Sequence, residues 1–253
     1  MPNKKDLVYL FANWKMYLDY DESNILANAI ANETSNFSKK IKMAVFPGAL
    51  ALYPVVQVLN DVGIESGAQN IYWVDKGGYT GEISAQMYKG AGCKYALVGH
   101  SERRHIFNET NHDVRQKIEA VLVADLTPVL CVGETSDERE KNKTEEVVEI
   151  QIRAAFQNIV WPENRELVVA YEPVWAIGTG KACDPIEAQK MHALIKKLLS
   201  VLVPGANPVL LYGGSVRPEN VGEYLDKPNI DGALVGGAST KLDSWMGIIN
   251  RVK

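Results

Sequence analysis

Eight short apolar runs recur along this chain, each followed by a longer stretch of helical periodicity, and that alternation limits the fold more than any single motif. The runs cover residues 7–12, 41–46, 64–68, 95–99, 128–132, 167–171, 208–212 and 232–235. A run that is continuously apolar, not alternating, suits a parallel strand buried on both faces. Between the runs, helices are expected over 21–33, up to Leu59, over 82–89, 110–124, 137–158 and 185–202, from Pro218, and over 241–250. Strands alternating with helices require right-handed crossovers and a parallel sheet. Eight such units in 253 residues match the size of a closed (β/α)8 barrel, eight parallel strands ringed by helices, with 1–253 as a single domain. The rival is an open doubly wound sheet. Against it, no G-x-G-x-x-G follows the first strand, and polar residues suited to chemistry follow most strands.

Composition bears on function more than on fold. The net charge of −4 offers no basic field for nucleic acid or an anionic membrane, so an anionic ligand must be held by a local site. Three cysteines, Cys93, Cys131 and Cys183, lie far apart and form no C-x-x-C pair, as expected of buried thiols in a reducing compartment. The histidines at 100, 105, 112 and 192 lack metal-ligand spacing, so no metal is expected. The apolar run Leu7 to Ala12 is too short for a secretory core or a membrane span. A soluble, cytoplasmic protein without a cofactor is the expectation.

In such a barrel the C-terminal strand ends converge on one face. The residues there are Asn13 and Lys15, Gln69, His100, Glu134, Glu172, Gly213 to Ser215, and Gly236 with Gly237. Glu172 ends the sixth run, and Pro173 drives it out of helical dihedrals, so strand gives way to loop at the acid itself. Beyond the loop, Asp184, Pro185 and Glu187 take the N-cap, N1 and N3 positions of a helix. Taken alone, this acid is either a shielded base or a solvated strand-end carboxylate. Two glycine pairs after the last two strands form a candidate anion cradle, because backbone N–H groups without a Cβ can approach a phosphate. Lys15 is the most plausible cation for an anionic substrate, and strand alternation places it on the same side as Asn13. A helix starting at Ser101 disfavours positive charge on His100, leaving a neutral imidazole that donates a hydrogen bond. Base, neutral donor, cation and cradle suit proton abstraction beside a carbonyl on a small phosphorylated sugar.

The segments NWKM at 13–16, GHSERR at 99–104, CVGET at 131–135, YEPVWAIGTGK at 171–181, LYGGSV at 211–216 and ALVGGAS at 233–239 occur in order. Together they resemble the triosephosphate isomerase family over essentially the whole chain. That family is a standard example of a glutamate base beside a neutral histidine under a closing loop, so the following roles are implied by the resemblance and not by spacing. The resemblance implies interconversion of dihydroxyacetone phosphate and glyceraldehyde 3-phosphate, in glycolysis and gluconeogenesis. Glu172 would move the proton, His100 polarise the carbonyl, and Lys15 and Asn13 stabilise the enediolate, with Glu102 supporting the lysine. Gly178, Ser215, Gly236 and Gly237 would hold the phosphate. Residues 173–183 would form a mobile lid, with Trp175 near its first hinge, Glu134 and Tyr212 as polar contacts for its two positions, and Ile177 and Leu234 drying Glu172. The long third loop, with Gln69 and GGYTGE at 77–82, would enter a second subunit, Thr80 bracing the partner's Asn13 and Lys15 in an obligate homodimer.

Ala12 stands where glycine usually precedes NWK, Tyr17 replaces a frequent asparagine, and the second hinge reads Lys181, Ala182, Cys183. These departures bear on lid closure and packing, not on the reaction. Two other readings compete. Another phosphate-binding barrel enzyme would share the cradle but need neither the YEPVWAIGTGK segment nor the third loop. A non-enzymatic relative would have lost Glu172, His100 or Lys15, and all three are present.

Overall fold

A computed structural model describes residues 7–34, 40–178 and 182–252. The strands are β1 (Val8–Asn13), β2 (Ile41–Phe46), β3 (Glu65–Ala68), β4 (Tyr95–Val98), β5 (Thr127–Val132), β6 (Leu167–Tyr171), β7 (Pro208–Tyr212) and β8 (Gly232–Val235). They pair in chain order into a closed barrel. All pairings are parallel, and β1 closes the ring on β8 with Tyr9 opposite Gly232 and Ala12 opposite Val235.

The helices between them are α1 (Tyr20–Thr34), α2 (Leu52–Asn60), α3 (Ala85–Gly90), α4 (Ser101–His105) and α5 (Asn111–Val123). After β5 come α6 (Ser136–Glu140), α7 (Thr144–Phe156), α8 (Pro185–Leu202), α9 (Val221–Leu225) and α10 (Leu242–Asn250). Three boundaries differ from the sequence reading, each for a local reason. The segment 137–158 is two helices: Thr135 and Glu138 form a capping box that starts α6, and Asn142, at φ 55°, turns the chain before α7. The helix expected at 82 starts at Ala85, because the Ser84 hydroxyl accepts the Met87 N–H. Pro218 lies in a turn, where Asn220 Oδ1 accepts the Arg217 N–H, so α9 begins only at Val221. Among the described residues, no helix is long and apolar enough to cross a membrane.

Alternate strand residues face into the barrel. Tyr9, Phe11, Ala44, Phe46, Tyr95, Leu97, Val129, Cys131, Val168, Ala170, Val209, Leu211 and Leu234 form one buried cluster that plugs it. The intervening residues, such as Leu10, Ala12, Val169 and Leu210, join the larger core beneath the helices. At the N-terminal end, Glu166 receives the Tyr9 and Tyr95 hydroxyls at 2.7 and 2.8 Å and the Lys42 ammonium at 3.2 Å. One carboxylate thus ties together β1, β2, β4 and the start of β6.

Counting on by two from the plug reaches Asn13, Gly99, Gly133, Glu172, Gly213 and Gly236. This layer is chiefly glycine, which leaves room above the plug. Gly133 has the tightest requirement: a Cβ there would lie 1.8 Å from the Glu172 carbonyl oxygen. Its N–H and C=O are both held by the buried Gln151 amide, at 2.8 and 3.1 Å, so the backbone has no slack. Gly133→Ala must therefore push β5 from β6. The expected cost is about 3 kcal/mol, read as a fall in Tm of roughly 6–12 °C; an unchanged melting curve would show that the strands can separate freely here.

Candidate active site

β1 ends at Asn13, whose side-chain oxygen accepts the Lys15 N–H at 3.0 Å. Lys15 itself lies in the left-handed region at φ 51°, an uncommon state for a residue with a side chain. Strand alternation therefore does not set the lysine beside Asn13, contrary to the sequence reading. A left-handed turn does so, and Gln69 secures it by donating its Nε2 to the carbonyls of Lys15 (2.7 Å) and Phe46 (2.9 Å). Gln69, expected in an intersubunit loop, thus braces the site of its own chain. Lys15 Nζ meets Glu102 Oε1 at 2.7 Å.

β4 runs out of inward parity at Gly99, and the glycine's φ of 71° lets the next residue turn into the mouth. His100 therefore reaches the site although its neighbour occupies the inward slot. Gly99 is fixed on both sides: its N–H donates to Glu109 at 3.1 Å, and its C=O accepts Arg104 Nε at 2.7 Å. Glu109 is itself buried against Lys117 and Arg103. Neither Glu109 nor Arg104 was evident as a supporting residue from sequence, because only the left-handed glycine between them gives them a purpose.

His100 Nδ1 accepts the Glu102 N–H at 3.3 Å, so that nitrogen carries no proton and the donor N–H is on Nε2. Nε2 lies 3.0 Å from Glu172 Oε1, and Glu172 Oε2 accepts the Ser101 N–H at 2.9 Å. Glu172 is 2% exposed, so both of its oxygens are held in the interior. Burial raises its pKa, but His100, the Ser101 N–H and Lys15 together bring it below the usual carboxylate range. For His100, burial lowers the pKa and the contact with Glu172 more than offsets it, leaving a net rise. The helix terminus and the contact with Glu172 thus act on this imidazole in opposite directions.

The segment after Glu172 is pinned at both described ends. Trp175 Nε1 donates to Glu134 at 2.8 Å, the Tyr171 hydroxyl donates to the same carboxylate at 3.0 Å, and the Arg139 guanidinium lies 4.3 Å from the Trp175 ring centre. Ser215 Oγ donates to the Ala176 carbonyl at 2.5 Å. At the far end, Cys183 N–H donates to the Tyr212 hydroxyl at 3.3 Å. In this structure Glu134 and Tyr212 hold opposite ends of the segment at the same time. Thr179, Gly180 and Lys181 of the expected lid lie outside the described residues.

Asn13, Lys15, His100 and Glu172 share one cavity of about 390 Å³ with Gly178, Ser215, Gly236 and Gly237, and with Ile177 and Leu234 as its apolar contacts. Every catalytic and phosphate-site candidate from the sequence is thus brought together. Gly213 is required here because its Cβ would fall 2.8 Å from Glu172 Cγ. Arg217 and Lys241 line the same cavity beyond the cradle and were missed; the signal was a cation soon after each glycine pair. Trp175, Glu134, Glu102 and Tyr212 lie outside its wall; Glu102 contacts the lining Lys15, and Tyr212 packs against the lining Gly214. Thr80 is exposed and does not line this cavity.

A closed (β/α)8 barrel with a carboxylate, an imidazole, a lysine and a glycine cradle at its C-terminal mouth belongs to the class of phosphate-handling barrel enzymes. Within that class the sequence model for triosephosphate isomerase matches residues 8–252. Proteins named triosephosphate isomerase from Carboxydothermus hydrogenoformans and Roseiflexus sp. are 43% and 42% identical, each match covering 95% of this chain and 97% and 96% of the relative. One from Trichlorobacter lovleyi is 41% identical over 94% of this chain and 95% of its own length. The chain belongs to the triosephosphate isomerase family, and it is an isomerase.

Proposed function

We propose that this chain interconverts dihydroxyacetone phosphate and D-glyceraldehyde 3-phosphate through an enediolate, with no cofactor. The observation that carries this reading is the contact between Glu172 and His100 Nε2, 3.0 Å, in one cavity with Lys15 and the glycine cradle. In the resting site the carboxylate is occupied by His100 and Ser101. Substrate entry draws Glu172 toward the carbon that loses its proton. His100 Nε2–H is then free to donate to the carbonyl oxygen as charge builds there, and leaving Glu172 removes the influence that raised the imidazole pKa. Glu172 returns the proton to the adjacent carbon. Lys15 neutralises negative charge on oxygen and phosphate, with Asn13 as a second donor. N–H groups of Gly178, Ser215, Gly236 and Gly237 hold the phosphate.

Residues 173–183 act as the lid. Ile177 and Leu234 exclude water from Glu172, which raises the basicity of the carboxylate and keeps the enediolate from losing phosphate. The working unit is a homodimer. Supporting this, Met16 and Leu50 are 97% and 89% exposed beside a second cavity of about 400 Å³ that is lined by Gln69 and shares Asn13, Lys15 and His100 with the first. Thr80 of the third loop then reaches the partner's Asn13 and Lys15. The reaction takes place in the cytoplasm, in glycolysis and gluconeogenesis.

A coupled assay on glyceraldehyde 3-phosphate tests the reaction, and wild-type turnover no greater than buffer overturns it. For the assembly, sedimentation at micromolar concentration is expected to give twice the chain mass. Full activity in a persistent monomer contradicts a site completed across subunits.

A further inference from the structure

Tyr212 and Tyr224 stack face to face, with ring centres 3.9 Å apart and planes inclined by 12°. Both are essentially buried, at 0% and 2% exposure, and their hydroxyls converge on the backbone of one residue. Tyr212 accepts the N–H of Cys183, and the Tyr224 hydroxyl donates to the Cys183 carbonyl. Cys183 is 1% exposed, whereas Ala182 before it is open to solvent and Asp184 after it caps α8. The loop that follows Glu172 is therefore anchored at Cys183, through its backbone and not its thiol.

The anchor also reaches the phosphate cradle. Tyr212 is the last residue of β7, immediately before Gly213, and its hydroxyl folds back so far that a Cβ on Gly214 would lie 2.3 Å from it. Tyr212 thus touches both the loop end and the cradle turn, and Tyr224 holds Tyr212 from behind by stacking. A buried carbonyl with no partner is unfavourable, so the Tyr224 hydroxyl gives Cys183 one preferred placement.

We propose that Tyr224 is a positioning residue for the isomerisation: with Tyr212 it forms a two-hydroxyl clip that registers the Cys183 end of the loop against the phosphate cradle. This rests on the isomerase reading above and adds a residue that touches neither substrate nor cavity. A misregistered loop end would cost turnover of phosphorylated substrate and leave the enediolate exposed. Its electron pair then expels phosphate, the C–O bond breaking and inorganic phosphate departing, in place of reprotonation.

Tyr224→Phe keeps the stacked ring and removes only the hydroxyl. The expected result has three parts: kcat on glyceraldehyde 3-phosphate falls about tenfold, inorganic phosphate released per isomerisation rises severalfold, and kcat/KM on unphosphorylated glyceraldehyde stays unchanged. A general loss of folded protein would lower both substrates equally and leave the phosphate ratio alone, and that pattern overturns the proposal. So does a variant equal to wild type in all three readings. Tyr212→Phe and the double variant give a second test: if the hydroxyls act as one clip, the double variant is less impaired than the product of the single effects, and independent effects contradict it. Wild-type protein runs in parallel. An inactive wild type overturns the isomerase reading as well, whereas an active wild type with an unaffected Tyr224→Phe overturns the clip alone.

Discussion

Glu172→Gln lowers kcat by about three orders of magnitude or more while the protein stays folded. A positioned general base contributes roughly 10² to 10⁴ in rate, and the amide also removes the negative charge that His100 faces at 3.0 Å. The fold is kept because the amide oxygen still accepts the Ser101 N–H and the side-chain volume is unchanged. Circular dichroism and a melting curve report the fold; kcat and the incorporation of solvent deuterium into substrate report the base. Deuterium incorporation at the wild-type rate would assign the proton transfer to another group, leaving family and fold untouched.

Lys15→Gln is expected to have the second largest effect, lowering kcat/KM by roughly a hundredfold or more, since each hydrogen bond to a charged group contributes about 1.5–3 kcal/mol. Lys15 is placed to serve both oxygen and phosphate: its Nζ lies 3.6 Å from where a Cβ on Gly236 would stand. Stability should change little, because the partner left behind, Glu102, is 40% exposed at its side chain and remains hydrated. Competition by inorganic phosphate separates the two contributions. If the lysine holds phosphate, the inhibition constant rises with KM; unchanged constants together with an unchanged kcat would remove Lys15 from the site.

Sequence showed the barrel because strands buried on both faces carry a continuous apolar run that needs no partner to be recognised. Glu172 was also legible, since Pro173 marks the end of β6 at that residue. The backbone conformations that aim the site were not. Lys15 adopts a left-handed turn that no lysine advertises, and it does so because Gln69, distant in sequence, holds its carbonyl. His100 gains the mouth only through Gly99, whose geometry depends on Glu109 and Arg104. The split between α6 and α7 was hidden because both carry the same solvated charge pattern, and only the turn at Asn142 interrupts it. Tyr224 looks like one more core aromatic until its hydroxyl is seen on Cys183.

The glycines above the plug give the barrel an unfinished interior. Each lower layer is filled by side chains, whereas the uppermost one opens into the cavity lined by Asn13, His100 and Glu172. A methyl group at Gly133 or Gly213 would strike Glu172 itself, so these positions are kept bare by the carboxylate and its backbone, and stability and chemistry ask for the same residue there.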